Sequence, residues 1–140
     1  MRPEPSVHDN FVYAYIVDCE GRRLVLHTAY RDREPHEFTD IVFRDVVAHH
    51  FEHVLPENIL MDVEEFDVAS LVRENEQMLA KSWRWGWPPL EYRGDLDALV
   101  AALRTSSIRA YQVQGSSGMS GWVLAGACDC VARGEPARVA

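Results

Sequence analysis

The hydrophobic period of this chain changes twice, and that change restricts the fold more than any other feature. From Asn10 to Cys19, Phe11, Tyr13, Tyr15 and Val17 recur at every second position, the period of a strand with one buried face. Glu20-Gly21 offers a turn, and Leu24, Leu26 and Thr28 continue the alternation from Arg23 to Tyr30, which predicts a hairpin. Phe38 to Val47 is rich in β-branched and aromatic residues and predicts a third strand that runs on to Phe51. Pro56-Glu57-Asn58 breaks the chain before a short fourth strand, Ile59 to Val63.

The period then lengthens. Val68, Leu71, Val72, Asn75, Met78, Leu79 and Trp83 form one helical stripe, with Asp67 placed to accept hydrogen bonds from the first-turn amides. Gly86 and Pro88-Pro89 end that helix by Trp85. A second helix follows from Leu96 to Arg104, capped by Asp95. The short period returns in Ile108 to Gln114 and Gly121 to Val131. The last of these is apolar on both faces at Trp122-Val123-Leu124-Ala125, which places it centrally or under helices. The order β-β-β-β-α-α-β-β is not the βαβ alternation of a nucleotide-binding sheet. It predicts an α+β fold: an antiparallel sheet of about six strands with two helices packed on one face. At 140 residues the chain holds one core. Residues 1–9 read as a loose leader, 10–132 as a single domain and 133–140 as a loose tail.

Charge narrows the partners. The net charge is −8, which argues against nonspecific nucleic-acid binding and against anionic membrane surfaces. The longest uncharged run, Ala110 to Cys128, is interrupted by Gly, Ser and Gln and does not read as a membrane span. MRPEPSVHDN has no apolar h-region and does not read as a secretory signal. Cys19, Cys128 and Cys130 form an odd set without CxxC spacing, so reduced thiols and a cytoplasmic location are expected.

Motifs for chemistry are sparse. His49, His50 and His53 cluster with Glu52, and His49, His53 and Asp45 would make a metal site only if the segment were helical. HExxH spacing is absent, and a polar strand end with solvated histidines is the simpler reading. Gly115 to Gly121 lacks the Lys of a P-loop and the GxSxG of a nucleophile elbow, which leaves a hairpin loop. No catalytic residue and no cofactor is expected. Trp83, Trp85 and Trp87 load a helix end with indole; they serve either as a lid on the core or, through Trp85 and Trp87, as anchors for a partner.

The distribution of charge is more informative. Between positions 57 and 76, Glu57, Asp62, Glu64, Glu65, Asp67, Glu74 and Glu76 face only Arg73, a local net charge of −6. Asp67 and Glu65 suit a helix N-terminus, where the dipole favours acids. Glu57, Asp62, Glu64, Glu74 and Glu76 have no such reason and could form a docking surface for a basic partner.

The layout resembles small cytoplasmic bacterial proteins that include immunity proteins of polymorphic toxin systems. The resemblance rests on the tyrosine-rich first hairpin, on Ile41-Val42-Phe43-Arg44-Asp45-Val46-Val47, and on Arg109-Ala110-Tyr111 through Gly121-Trp122-Val123-Leu124-Ala125. It implies a non-catalytic domain that binds another protein, here a basic one, through the acidic residues. The alternatives are a small metal-dependent hydrolase built on His49 and His53, and a small-ligand domain with an aromatic pocket from Tyr13, Tyr15, Tyr111 and Trp122. An uncovered edge strand would also allow two copies to pair as a homodimer.

Overall fold

The computed structural model describes residues 6–139. Eight strands form one antiparallel sheet: β1 (Phe11–Asp18), β2 (Arg23–Tyr30), β3 (Glu37–Arg44), β4 (Ala48–Glu52), β5 (Ile59–Phe66), β6 (Arg109–Ser117), β7 (Ser120–Ala125) and β8 (Ala127–Arg133). Between β5 and β6 lie α1 (Val68–Glu74), α2 (Glu76–Ser82), two short 3₁₀ turns and α3 (Leu96–Thr105). The spatial order is β4-β7-β6-β5-β1-β2-β3-β8. The fold is therefore α+β with an antiparallel sheet, but with eight strands and three helices rather than six and two.

The two extra strands come from bends. The long third strand breaks at Asp45, and the last breaks at Gly126. Both breaks occur at one place, because β3 pairs with β8 while β4 pairs with β7. The ladder crosses the bend through the Gly126 amide, which donates to the Arg44 carbonyl at 2.9 Å, and the Val47 amide, which donates to Leu124 at 2.9 Å. Asp45 adopts a left-handed backbone (φ 54°) to make the turn. Its Cβ and carboxylate lie 3.1 Å from where a Cβ on residue 126 would sit, so the bend favours glycine there.

The bends fold the sheet into two leaves, β1-β2-β3-β8 and β5-β6-β7-β4. The opposite corner is held where the Val12 amide donates to Asn58 and the Leu60 amide to Asn10. Leu24, Leu26, Ile41 and Phe43 of the first leaf share one buried cluster with Leu60, Tyr111, Val113 and Val123 of the second. The Phe43 and Tyr111 rings meet edge-on across this core, 5.7 Å apart. Strands that switch leaf at bulges are how such packed sheets turn their corners.

The helices cover the outer face of the second leaf. Leu71, Val72, Leu79, Leu99 and Leu103 pack on Ala110, Trp122 and Leu124. That explains why β7 is apolar on both faces. Each buried leucine contributes about 2 kcal/mol of apolar transfer energy. The helical stripe runs as expected but breaks at Asn75, where α1 ends and α2 begins. Asp67 and Asp95 cap as their positions suggest, accepting from the Ser70 and Ala98 amides at 3.0 Å each. Among the described residues, no helix is long and apolar enough to cross a membrane.

Candidate functional site

The register of the second leaf decides which acids meet. Glu64 on β5 stands opposite Gln112 on β6, which stands opposite Trp122 on β7 and His50 on β4. Opposed residues of antiparallel strands share a face, and Trp122 faces the helices. Glu64 therefore belongs to the outer, helix-bearing face. Asn75 fixes the helical side of this row, accepting from Trp122 Nε1 at 3.2 Å through Oδ1 and donating to the Leu71 carbonyl at 2.8 Å. Glu74 and Glu76 flank Asn75 at the break between α1 and α2, and Glu76 borders a small pocket with Trp83, Arg93 and Leu96.

None of Glu64, Glu74 and Glu76 has a basic group within ion-pair distance among the described residues. Two other acids of the run are neutralised. Glu65 pairs with Arg109 at 3.0 Å and Asp67 with Arg104 at 3.2 Å. The Asp67 carboxyl is held below the usual range by the Ser70 amide and hydroxyl, with Arg104 adding to them. Asp62 sits opposite Gln114 and accepts from the Val63 amide. Glu57 lies at the other end of β5, about 20 Å of strand away from Glu64, so the fold separates it from the rest.

The tryptophans divide. Trp85 is 83% exposed. Trp87 is half-buried against the helix-side core. Arg93 stacks over Trp83 at 3.8 Å from the ring centre, a cation–π contact.

The histidines do not converge. β4 is extended, so the four-residue spacing of Asp45 and His49 does not place them on one helical face. His53 lies beyond the strand with a left-handed backbone. Among the described residues, no three His, Cys, Asp or Glu side chains gather as a metal-holding set. His49 is made less basic by partial burial and by the neighbouring His50. The aromatic residues considered as one pocket also disperse. Tyr111 is in the core, Trp122 under the helices, Tyr15 against Phe51, and Tyr13 stacked on His27.

Three further features lie elsewhere in the fold. His27 and Asp40, both nearly buried, are 2.7 Å apart on neighbouring strands, with Arg133 on the second carboxylate oxygen at 3.0 Å. Their equal three-residue offsets from Tyr30 and Glu37, the inner ends of the β2–β3 hairpin, could have suggested the pairing. Cys128 and Cys130 sit beside the inter-leaf core, and burial pushes the Cys128 thiol up to about 12.

The third feature is a cavity of about 480 Å³ between α3, the 83–94 segment and the bend of the leaves. Trp87, Tyr92, Leu99, Leu103 and Ile108 supply its apolar wall, and Arg22, Asp45, Ser106 and Ser107 its polar rim. Arg22 (φ 52°), Asp45 (φ 54°) and Ser107 (φ 58°) all have left-handed backbones, each costing on the order of 1 kcal/mol or more.

No family model, curated protein or solved structure matches the chain.

Proposed function

We propose that the protein is a non-catalytic binding domain that docks a basic protein partner through its acidic face, in the manner of an immunity protein acting on a toxin. The reading rests on one observation: Glu64 lies on the helix-bearing face of the sheet and, like Glu74 and Glu76, has no basic group within ion-pair distance among the described residues. Carboxylates without basic partners keep their field, and a cationic surface complements it. An acidic field also accelerates encounter with a basic partner, and the acceleration falls as salt rises. The exposed Trp85 supplies an aromatic anchor of the kind that dominates binding hot spots. The cytoplasm, where Cys19, Cys128 and Cys130 stay reduced, is the compartment this reading assigns.

The test uses the product of the gene immediately upstream as the probe. Association is followed by stopped-flow mixing at low and at physiological salt. Glu64→Lys, Glu74→Lys and Glu76→Lys together should slow association at least about ten-fold at low salt and flatten its salt dependence. Absence of a complex, or an on-rate that the reversal leaves unchanged, refutes the proposal.

A further inference from the structure

We infer that the cavity beside α3 is a binding site for a small zwitterion with an apolar body, of the class of α-amino acids with a large aliphatic or aromatic side chain. The site shares no residue with the acidic face, so the two readings stand or fall separately.

Its dimensions come first. A volume of about 480 Å³ lies within the range of natural small-molecule sites. The wall is of two kinds. Leu99, Leu103 and Ile108 are buried members of the helix-side core, and Trp87 and Tyr92 add aromatic surface. That wall takes an apolar group.

The rim selects what the apolar group carries. Arg22 and Asp45 both border the cavity, yet they are not within ion-pair distance of each other. Among the described residues, neither has another oppositely charged partner. Arg22 is tied to the bend, since its carbonyl accepts from the Val46 amide at 2.9 Å and its Nε donates to the Val46 carbonyl at 3.4 Å. The rest of its guanidinium fork remains available for a carboxylate. The Asp45 carboxylate is correspondingly available for an ammonium group. The carbonyl end of α3 opens on the same rim at Ser106 and Ser107, and its dipole also favours a cation.

These groups discriminate among ligand classes. A purely apolar molecule would leave both rim charges without partners. A phosphate would meet the Asp45 carboxylate beside the single Arg22. An amine alone or a carboxylate alone would answer half of the rim. A zwitterion answers both halves. The backbone supports the assignment, since Arg22, Asp45 and Ser107 are three residues with unfavourable left-handed conformations gathered at one cavity. Such gathering is characteristic of binding sites.

The experiment is isothermal titration calorimetry with L-phenylalanine and L-leucine. The comparison compounds are phenethylamine, which keeps the cation, 3-phenylpropionate, which keeps the anion, and glycine, which lacks the body. The amino acids should bind at least about ten-fold more tightly than any comparison compound. Asp45→Asn removes the charge while Asn tolerates a positive φ, and Arg22→Gln removes the opposite charge. Each should weaken L-phenylalanine about ten-fold or more. Asp45→Asn should spare 3-phenylpropionate, and Arg22→Gln should spare phenethylamine. The inference is overturned if the amino acids do not bind below roughly 10 mM, or bind no better than the half-ligands. It is also overturned if folded Asp45→Asn and Arg22→Gln bind L-phenylalanine as the natural protein does. If either variant fails to fold, the half-ligand comparison on the natural protein still decides.

Discussion

Asn58→Ala should be among the most damaging polar substitutions in this fold, and its cost can be worked bond by bond. Asn58 is buried where the β4–β5 loop meets the β6–β7 turn. Its Oδ1 accepts from the Leu55 amide and the Met119 amide, both at 2.9 Å, and its Nδ2 donates to the Leu55 carbonyl at 2.6 Å. Alanine removes all three bonds, but they are not equivalent. Leu55 is 52% exposed, so water can replace its two bonds at about 0.5 kcal/mol each. Met119 is 0% exposed, so its amide is left without a partner at about 1–3 kcal/mol. The sum is about 2–4 kcal/mol. For a chain of 140 residues, the unfolding entropy converts this to a fall in Tm of roughly 7–14 °C.

Asn58→Asp differs from Asn58→Ala in the bonds it keeps. A carboxylate keeps an acceptor for both amides and loses only the donation to Leu55, at the cost of facing that carbonyl. Asp should therefore recover part of the loss. Urea denaturation followed by tryptophan fluorescence measures both variants against the natural protein. If Ala costs under about 1 kcal/mol, or if Asp is as damaging as Ala, then the stranded Met119 amide is not the dominant cost. In that case the assignment of this loop's stability to Asn58 is wrong.

Two further predictions follow from local geometry. Ser107 is the left-handed residue after α3, where the Ile108 amide reaches back to Leu103 and the Ser107 amide to Arg104. Ser107→Gly relieves that backbone and should raise stability by about 1 kcal/mol in denaturant melts, whereas a loss would show that the serine side chain matters more. Cys19 is exposed, whereas burial and the nearby Cys130 and Asp129 push the Cys128 thiol up to about 12. At pH 8 the Cys128 thiolate fraction is therefore on the order of one in ten thousand, and it rises only as pH climbs toward that value. A thiol-reactive reagent should label Cys19 first, and equal labelling of Cys128 in folded protein would contradict its burial.

Much of the framework was legible because it follows from local chemistry. The strand alternation of Leu24 and Leu26, the helical stripe through Leu71 and Leu79, and the capping positions of Asp67 and Asp95 are all short-range patterns. The breaks were not legible. Asn75 lies on the buried stripe, so periodicity runs straight through the point where α1 gives way to α2. Its side chain bonds to Leu71 and to Trp122, and Trp122 is 47 residues distant in sequence. The bend at Gly126 is hidden for a related reason. Val123 and Ala125 pack inward before it, and Cys128 and Cys130 after it, an offset of one residue. A segment apolar on both faces conceals such an offset.

The partition of the acids illustrates the same limit and gives it a functional edge. Sequence shows that seven acids share twenty residues; it does not show which of them share a surface. Glu65 and Asp67 were expected to answer to a helix dipole, and they instead also meet Arg109 and Arg104, forty-four and thirty-seven positions away. Their removal from the acidic run does not weaken the case for a docking face, because it identifies the acids that are left without an arginine. Glu64 is carried to the outer face by register, and Glu74 and Glu76 flank Asn75 where α1 gives way to α2. Charges paired within the chain lose much of their long-range field, whereas Glu64, Glu74 and Glu76 retain theirs.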